Sequence, residues 1–251
     1  MALTNEFETQ GNWLFKRRSF LPIGILITAV LAIFRKAAYP HEFPLYQPNF
    51  DAYYVYTALF VGLFGLLIRA YTVGYSPRNT SGRNTSEGQV AESLNTNGIY
   101  SLVRHPLYVG NYLMWIGPAL MTANFWYITA ISCLYWIYYE RIMYAEEAFL
   151  MKKFETEFSS WAGKTPAFFP KFHGYIKSPF SFSWKKVLKK EKNGFLALSF
   201  ILFLFDNLRG IVQGHVHPNP VISFLFVLSI VSYLFLKYLK YHTTVLDEDD
   251  R

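Results

Sequence analysis

The residues of this chain whose types and spacing could do chemistry are Arg104-His105-Pro106-Leu107-Tyr108-Val109-Gly110 and, further on, Glu146-Glu147. A guanidinium and an imidazole donate to carboxylates, and two glutamates accept from amines and hydroxyls, so together they suit a small zwitterion. Pro106 fits the first position of a helix, where its missing N–H is not needed. That leaves His105 at the cap, with the free N–H groups of the first turn attracting carboxylate or phosphate. Tyr108, Asn111, Tyr112 and Trp115 then follow at spacings of three and four and present one aromatic and amide face. Gly110 lets another helix or a ligand come close to that turn. On a later helix Glu140, Tyr144, Glu147, Met151, Phe154 and Phe158 share a stripe, with Glu146 rotated about 100° away, so spacing favours Glu147 for the pocket.

Apolar elements must position these groups. The chain is 52% hydrophobic and 20% aromatic, and its 16% charged residues fall below the roughly 25% of soluble domains. The expected fold class is all-α, a polytopic integral membrane protein. Six runs read as membrane helices, at 20–38, 52–73, 107–123, 125–141, 194–212 and 220–240. The third and fourth are near the lower limit of roughly 17 residues for a span and are joined only by Thr122-Ala123-Asn124, so they form a central short hairpin. Both its free ends, and hence both motifs, face one side. The chain divides into N-terminal helices (1–73), a catalytic core (74–193) and C-terminal helices with an acidic tail (194–251).

Basic residues accumulate on cytoplasmic flanks. Twenty of the 24 Lys and Arg fall on the side of the N-terminus, and only Arg35, Lys36 and Arg209 on the other, while Arg69 lies within a span. This expects both termini and both motifs in the cytoplasm. The net charge of +7 then reads as attraction to headgroups, with Lys185 to Lys190 a juxtamembrane basic segment or a solvated linker, and not as a nucleic-acid footprint. Arg17-Arg18-Ser19-Phe20-Leu21 resembles an export signal but lacks a small-residue cleavage site, so it reads as a positive-inside anchor. Asn79-Thr80-Ser81-Gly82-Arg83 is echoed by Asn84-Thr85-Ser86-Glu87-Gly88 in a long polar loop, either a lid or a mobile connector. No metal site is expected: His215 and His217 lack further ligands nearby, and Cys133 lies in an apolar run as a packing residue. The tail Asp247-Glu248-Asp249-Asp250 reads as solvated.

Gly98-Ile99-Tyr100, Arg104 through Gly110, Glu146-Glu147, Leu150, Phe154, Glu157-Phe158, Trp161, and Thr165-Pro166 through Phe169-Pro170 together resemble the isoprenylcysteine carboxyl methyltransferase and phospholipid methyltransferase superfamily. The likeness covers about residues 95–171. It implies a membrane methyltransferase dependent on S-adenosylmethionine, with cofactor entering from the cytosol and a lipid-like or isoprenoid acceptor from the bilayer. It also implies a cofactor site formed by Arg104, His105, Pro106, Tyr108, Gly110, Asn111, Glu146 and Glu147. On this reading His105, helped by Arg104, holds the cofactor carboxylate, and Glu147 or Glu146 binds the ribose hydroxyls or amino group. Tyr108 and Tyr100 flank the adenine or the sulfonium. The chain departs from the pattern at Phe158 and Trp161, where tyrosine is common, and near Ala167, where an arginine is frequent.

The expected catalytic residues are His105, Glu147 and Arg69. A carboxylate acceptor needs no base, whereas an amine or hydroxyl must lose a proton, to His105 or to a glutamate raised in pKa by burial. Arg69 is either an acceptor-side contact or a headgroup snorkel. Two readings from other classes remain: an NADPH-dependent sterol or enone reductase of the membrane, and a non-enzymatic scaffold or transporter.

Overall fold

The computed structural model describes residues 2–18, 21–39, 51–77, 84–85, 88–89, 91–212, 214 and 218–247. Most of the repeat at 79–88, His215, His217 and the acidic tail after Asp247 lie outside the described residues. Among the described residues seven α-helices follow in order: α1 (Leu3–Arg17), α2 (Leu21–Ala38), α3 (Asp51–Tyr75), α4 (Pro106–Leu120), α5 (Phe125–Ala162), α6 (Trp184–Val212) and α7 (Pro220–His242). The strand content of the described residues is one antiparallel pair, Asn84–Thr85 with Gly88–Gln89. All six expected apolar runs are helical, so the all-α class stands.

Three helices, at Ala52–Tyr75, Trp184–Val212 and Pro220–His242, are long and apolar enough to cross a membrane. The chain is therefore integral to a membrane, and a full count of six crossings is an expectation that those three helices leave open. At 15 residues α4 is about 22 Å long, short of the ~30 Å hydrocarbon core.

Start and stop signals explain the hairpin. Pro106 opens α4 with His105 as its cap, and Asn124 caps α5, its side chain accepting from the Tyr127 N–H at 3.1 Å. The partnership of α4 differs from the sequence expectation. Its main neighbour is α3, not the α5 to which it is tied. Small residues are the cause: a Cβ at Gly65 would lie 2.6 Å from the Gly110 carbonyl oxygen, and one at Gly117 would lie 2.8 Å from the Ala58 carbonyl oxygen. Backbones that approach so closely exclude side chains, as at other glycine-mediated membrane contacts. Gly110 thus serves the α3 contact.

Helix α1 went unrecognised in the sequence. It docks on α5, where a Cβ at Gly11 would overlap the Arg141 carbonyl oxygen. Phe7 packs edge-on to Tyr144, the Arg141 guanidinium covers the Phe7 ring at 3.6 Å, and Lys152 pairs with Glu8 at 2.6 Å. Arg141 also pairs with Glu140, so neither Arg141 nor Lys152 neutralises Glu146 or Glu147.

Two apolar clusters support the site. One joins α2, α3, α6 and α7 through residues such as Ile33, Ala58, Leu202 and Ile222. The other lies beneath His105 and combines Phe15, Tyr108, Tyr135, Tyr139, Ile142, Met143 and Phe168. Within it Tyr135 stacks on Tyr139 at 4.1 Å and donates its hydroxyl to the Tyr108 carbonyl at 2.6 Å, fixing the first turn of α4 against α5.

Candidate functional site

The approach to α4 is braced from behind. The N–H groups of Arg104 and His105 donate to the carbonyls of Pro166 and Ala167, Lys171 N–H to Leu102, and Gly98 N–H to Ile176. Backbone polar groups that would otherwise be orphaned are thereby paired, and the 98–105 segment is held to 166–176. The helical path of α5 breaks at Glu155 (φ 38°), and beyond the break Phe158 and Trp161 line a cavity together with His105. Trp161 donates its indole N–H to the Tyr100 carbonyl at 3.0 Å.

His105 is buried, with a carboxylate at each ring nitrogen. Its Nε2 is 2.8 Å from Glu147 Oε1 and its Nδ1 is 3.5 Å from Glu146 Oε2. The adjacent glutamates, expected to diverge, both reach this imidazole because its two nitrogens point to different sides of the ring. Glu147 also takes Nε and Nη2 of Arg104 at 2.9 and 3.1 Å, while Arg104 Nη1 donates to the carbonyls of Ala162 and Thr165. Glu146 accepts from the Tyr108 hydroxyl at 2.7 Å.

These contacts set the protonation states. Burial disfavours a charged His105, but the hydrogen bonds and charges of Glu146 and Glu147 outweigh it and hold the pKa above the usual 6.5. Burial likewise disfavours a charged Glu147, yet the His105 hydrogen bond and charge, with those of Arg104, hold it below the usual 4.5. Burial pushes the Tyr100 hydroxyl up to about 12, so it stays protonated.

A cavity of about 450 Å³ opens over this cluster. Of the residues singled out in the sequence, Arg69, Tyr100, Arg104, His105, Pro106, Tyr108, Asn111, Glu146 and Glu147 line it, and Gly110 does not. At the wall formed by α3 and α6, Arg69 makes a two-pronged pair with Glu191 at 2.8 Å and donates to Asn111 Oδ1 at 2.6 Å. Arg69 is thus bound within the protein and does not snorkel. Glu191 was missed, although it is the lone acid in the basic run 185–192. Phe15 and Arg18 were missed with α1, whose signal was the recurrence of Phe7, Gly11, Phe15 and Arg18 on one helical face.

Residues 56–157 match the family described as phospholipid methyltransferase. A cobalt-zinc-cadmium resistance protein of Cupriavidus metallidurans is 38% identical over 35% of this chain and 40% of its own. A nickel-cobalt-cadmium resistance protein of Alcaligenes xylosoxydans xylosoxydans is 32% identical over 45% of this chain and 50% of its own. A protein-S-isoprenylcysteine O-methyltransferase of Schizosaccharomyces pombe is 28% identical over 51% of this chain and 55% of its own. The chain therefore spans about half the length of these relatives. No solved structure matches it. The stretch matched by the family, 56–157, includes Arg104 through Gly110 and Glu146-Glu147.

Proposed function

We propose that the chain is a membrane methyltransferase that binds S-adenosylmethionine from the cytosol and passes its methyl group to a lipid-like acceptor. The observation that supports this furthest is the meeting of His105, Glu146 and Glu147 across α4 and α5 in one cavity. At about 450 Å³ that cavity falls within the ~300–1,000 Å³ range of small-molecule sites. Its donor set fits the cofactor: carboxylates for hydroxyls and amine, cations for a carboxylate, and aromatic faces for adenine and sulfonium.

The two glutamates take different roles. Glu147 already accepts three hydrogen bonds, so it positions Arg104 and His105. Glu146 accepts from Tyr108 and faces His105, which leaves about two of its roughly four lone-pair sites for ribose hydroxyls or the donor amine. This reverses the preference for Glu147 that helical spacing gave. When bound, S-adenosylmethionine supplies a methyl group already activated by the sulfonium charge. The protein's part is orientation, which can contribute several powers of ten to the rate.

The two carboxylates favour the protonated form of His105, which makes it a hydrogen-bond donor in this reading. Arg69 is neutralised by Glu191, and its position on the α3–α6 wall makes it the acceptor-side contact of this reading. An acceptor that reacts without losing a proton, such as a carboxylate, suits a cavity whose imidazole is biased towards its protonated form.

Calorimetric binding of S-adenosylhomocysteine to the purified chain tests the proposal. His105→Ala and Glu146→Gln are expected to weaken it at least tenfold, about 1.4 kcal/mol, with melting still cooperative. Unchanged affinity in both variants, or preferential binding of NADPH, would falsify the reading.

A further inference from the structure

Between α5 and α6 the chain runs as an irregular strap, 163–183, that contains no Asp or Glu and exposes apolar side chains. Phe169 is 72% exposed, Phe172 97% and Ile176 57%, and Tyr175 and Trp184 are exposed beside them. Single exposed apolar residues are ordinary, but several on one short segment mark a surface that meets something other than water.

The depth of the strap identifies what it meets. Its later part lies along the last turns of α3, a helix long and apolar enough to cross a membrane. The hydroxyls of Tyr175 and Tyr71 are 2.8 Å apart, the Ser183 N–H donates to the Gly74 carbonyl at 3.0 Å, and Phe182 packs edge-on to Tyr75 at 5.2 Å. Tyr71 is four residues before the end of α3, about 6 Å along its axis. The earlier part of the strap lies against the hairpin. Buried Phe168 meets Tyr112 of α4 at 6.0 Å and Trp136 of α5 at 5.4 Å, and Phe169 stacks on Trp136 at 5.9 Å. Tyr112 is six residues past the start of α4, about 9 Å into it. The strap thus passes from α5 to α3 inside the ends of the apolar helices, not above them.

Backbone at that level needs its polar groups satisfied by protein. Pro166 and Pro170 have no N–H to satisfy. The carbonyls of Pro166 and Ala167 accept from Arg104 and His105, and the Lys171 N–H donates to Leu102. The Ile176 carbonyl accepts from Gly98, and its N–H donates to the Ser101 hydroxyl at 2.9 Å. Lys164, Lys171 and Lys177 suit phosphate-bearing headgroups, and Tyr175 and Trp184 are residue types that favour the interface.

We propose that the strap is seated in the lipid headgroup region, with Phe169, Phe172 and Ile176 entering the adjoining acyl layer, so that the membrane surface braces the 98–105 segment that delivers Arg104 and His105 to the cavity. Continuity of its apolar face with the exposed Leu134, Trp136 and Ile137 of α5 favours lipid over a second copy of the chain or another protein.

Spin labels test this in the full chain, carried in a Cys133→Ser background in nanodiscs of phosphatidylcholine and phosphatidylglycerol. Labels at Phe172→Cys and Ile176→Cys are compared with one at Lys153→Cys, exposed on α5 beyond its apolar run, and one at Phe64→Cys, exposed in the middle of α3. The ratio of collisions with oxygen to collisions with an aqueous nickel chelate is expected to be at least about threefold higher at 172 and 176 than at 153, and below that at 64, as for side chains at the headgroup and acyl boundary. Ratios at 172 and 176 equal to that at 153 place the strap in water and overturn the proposal. Protection from both reagents overturns it as well, because it marks a protein partner or a second copy. Phe172 is almost fully exposed, so its replacement does not threaten the fold.

Discussion

An imidazole with a carboxylate at each nitrogen holds its proton more tightly than a free one despite burial, and that links stability to pH in a defined direction. The folded pKa of His105 is above 6.5, so its contribution is complete below that value and is lost as pH rises through the folded pKa. The folded pKa of Glu147 is below 4.5, so its contribution is complete above that value and is lost as pH falls through the folded pKa. The pair is strongest between about 4.5 and 6.5. The melting-temperature difference between wild type and His105→Gln should therefore be largest in mildly acidic buffer and shrink towards alkaline pH. A difference that grows as pH rises would contradict a protonated His105. At this scale the sequence disclosed which groups converge, because charge at the boundary of apolar helices is conspicuous. It did not disclose how Glu146 and Glu147 divide their work. A wheel of about 100° per residue separates neighbours, but it ignores that one histidine offers two nitrogens to two carboxylates.

Among the elements, α3 and α4 are the pair most sensitive to added volume. Gly65→Ala places a methyl 2.6 Å from the Gly110 carbonyl oxygen and 2.8 Å from Leu113 Cβ, and backbone cannot rotate away as a side chain can. The expected cost is about 1–3 kcal/mol, as for other overpacked contacts. S-adenosylhomocysteine binding should weaken too, because α4 carries His105 and Tyr108. Thermal unfolding and calorimetry on one preparation check both, and an unchanged melting temperature would count against the glycine contact. The six apolar helices were readable from hydropathy, and Pro106 and Asn124 marked two of the starts. Helix α1 was not, because its polar residues conceal the stripe of Phe7, Gly11 and Phe15, which packs largely on α5, far along the chain. The same limit hid the leaning of α4 on α3: small residues reveal close packing only once the facing helix is known.

For the whole molecule, the distribution of Lys and Arg and the three long apolar helices bear on topology in different ways, and labelling separates them. In a Cys133→Ser background, His173→Cys should react with an impermeant maleimide from the cytosolic side of sealed vesicles. Phe125→Cys and Pro218→Cys should react only from the opposite side. Labelling of Phe125→Cys from the cytosolic side would mean that α4 and α5 turn back within the membrane and would reduce the six crossings. The short α4 carries a further consequence on the six-crossing topology. A helix about 22 Å long cannot match a ~30 Å hydrocarbon layer, so the adjoining leaflets must compress towards it. Hydrophobic mismatch then draws inner-leaflet headgroups down to the rim beside His105, and an acyl-chained acceptor can present its polar end there while its tail stays among the surrounding chains.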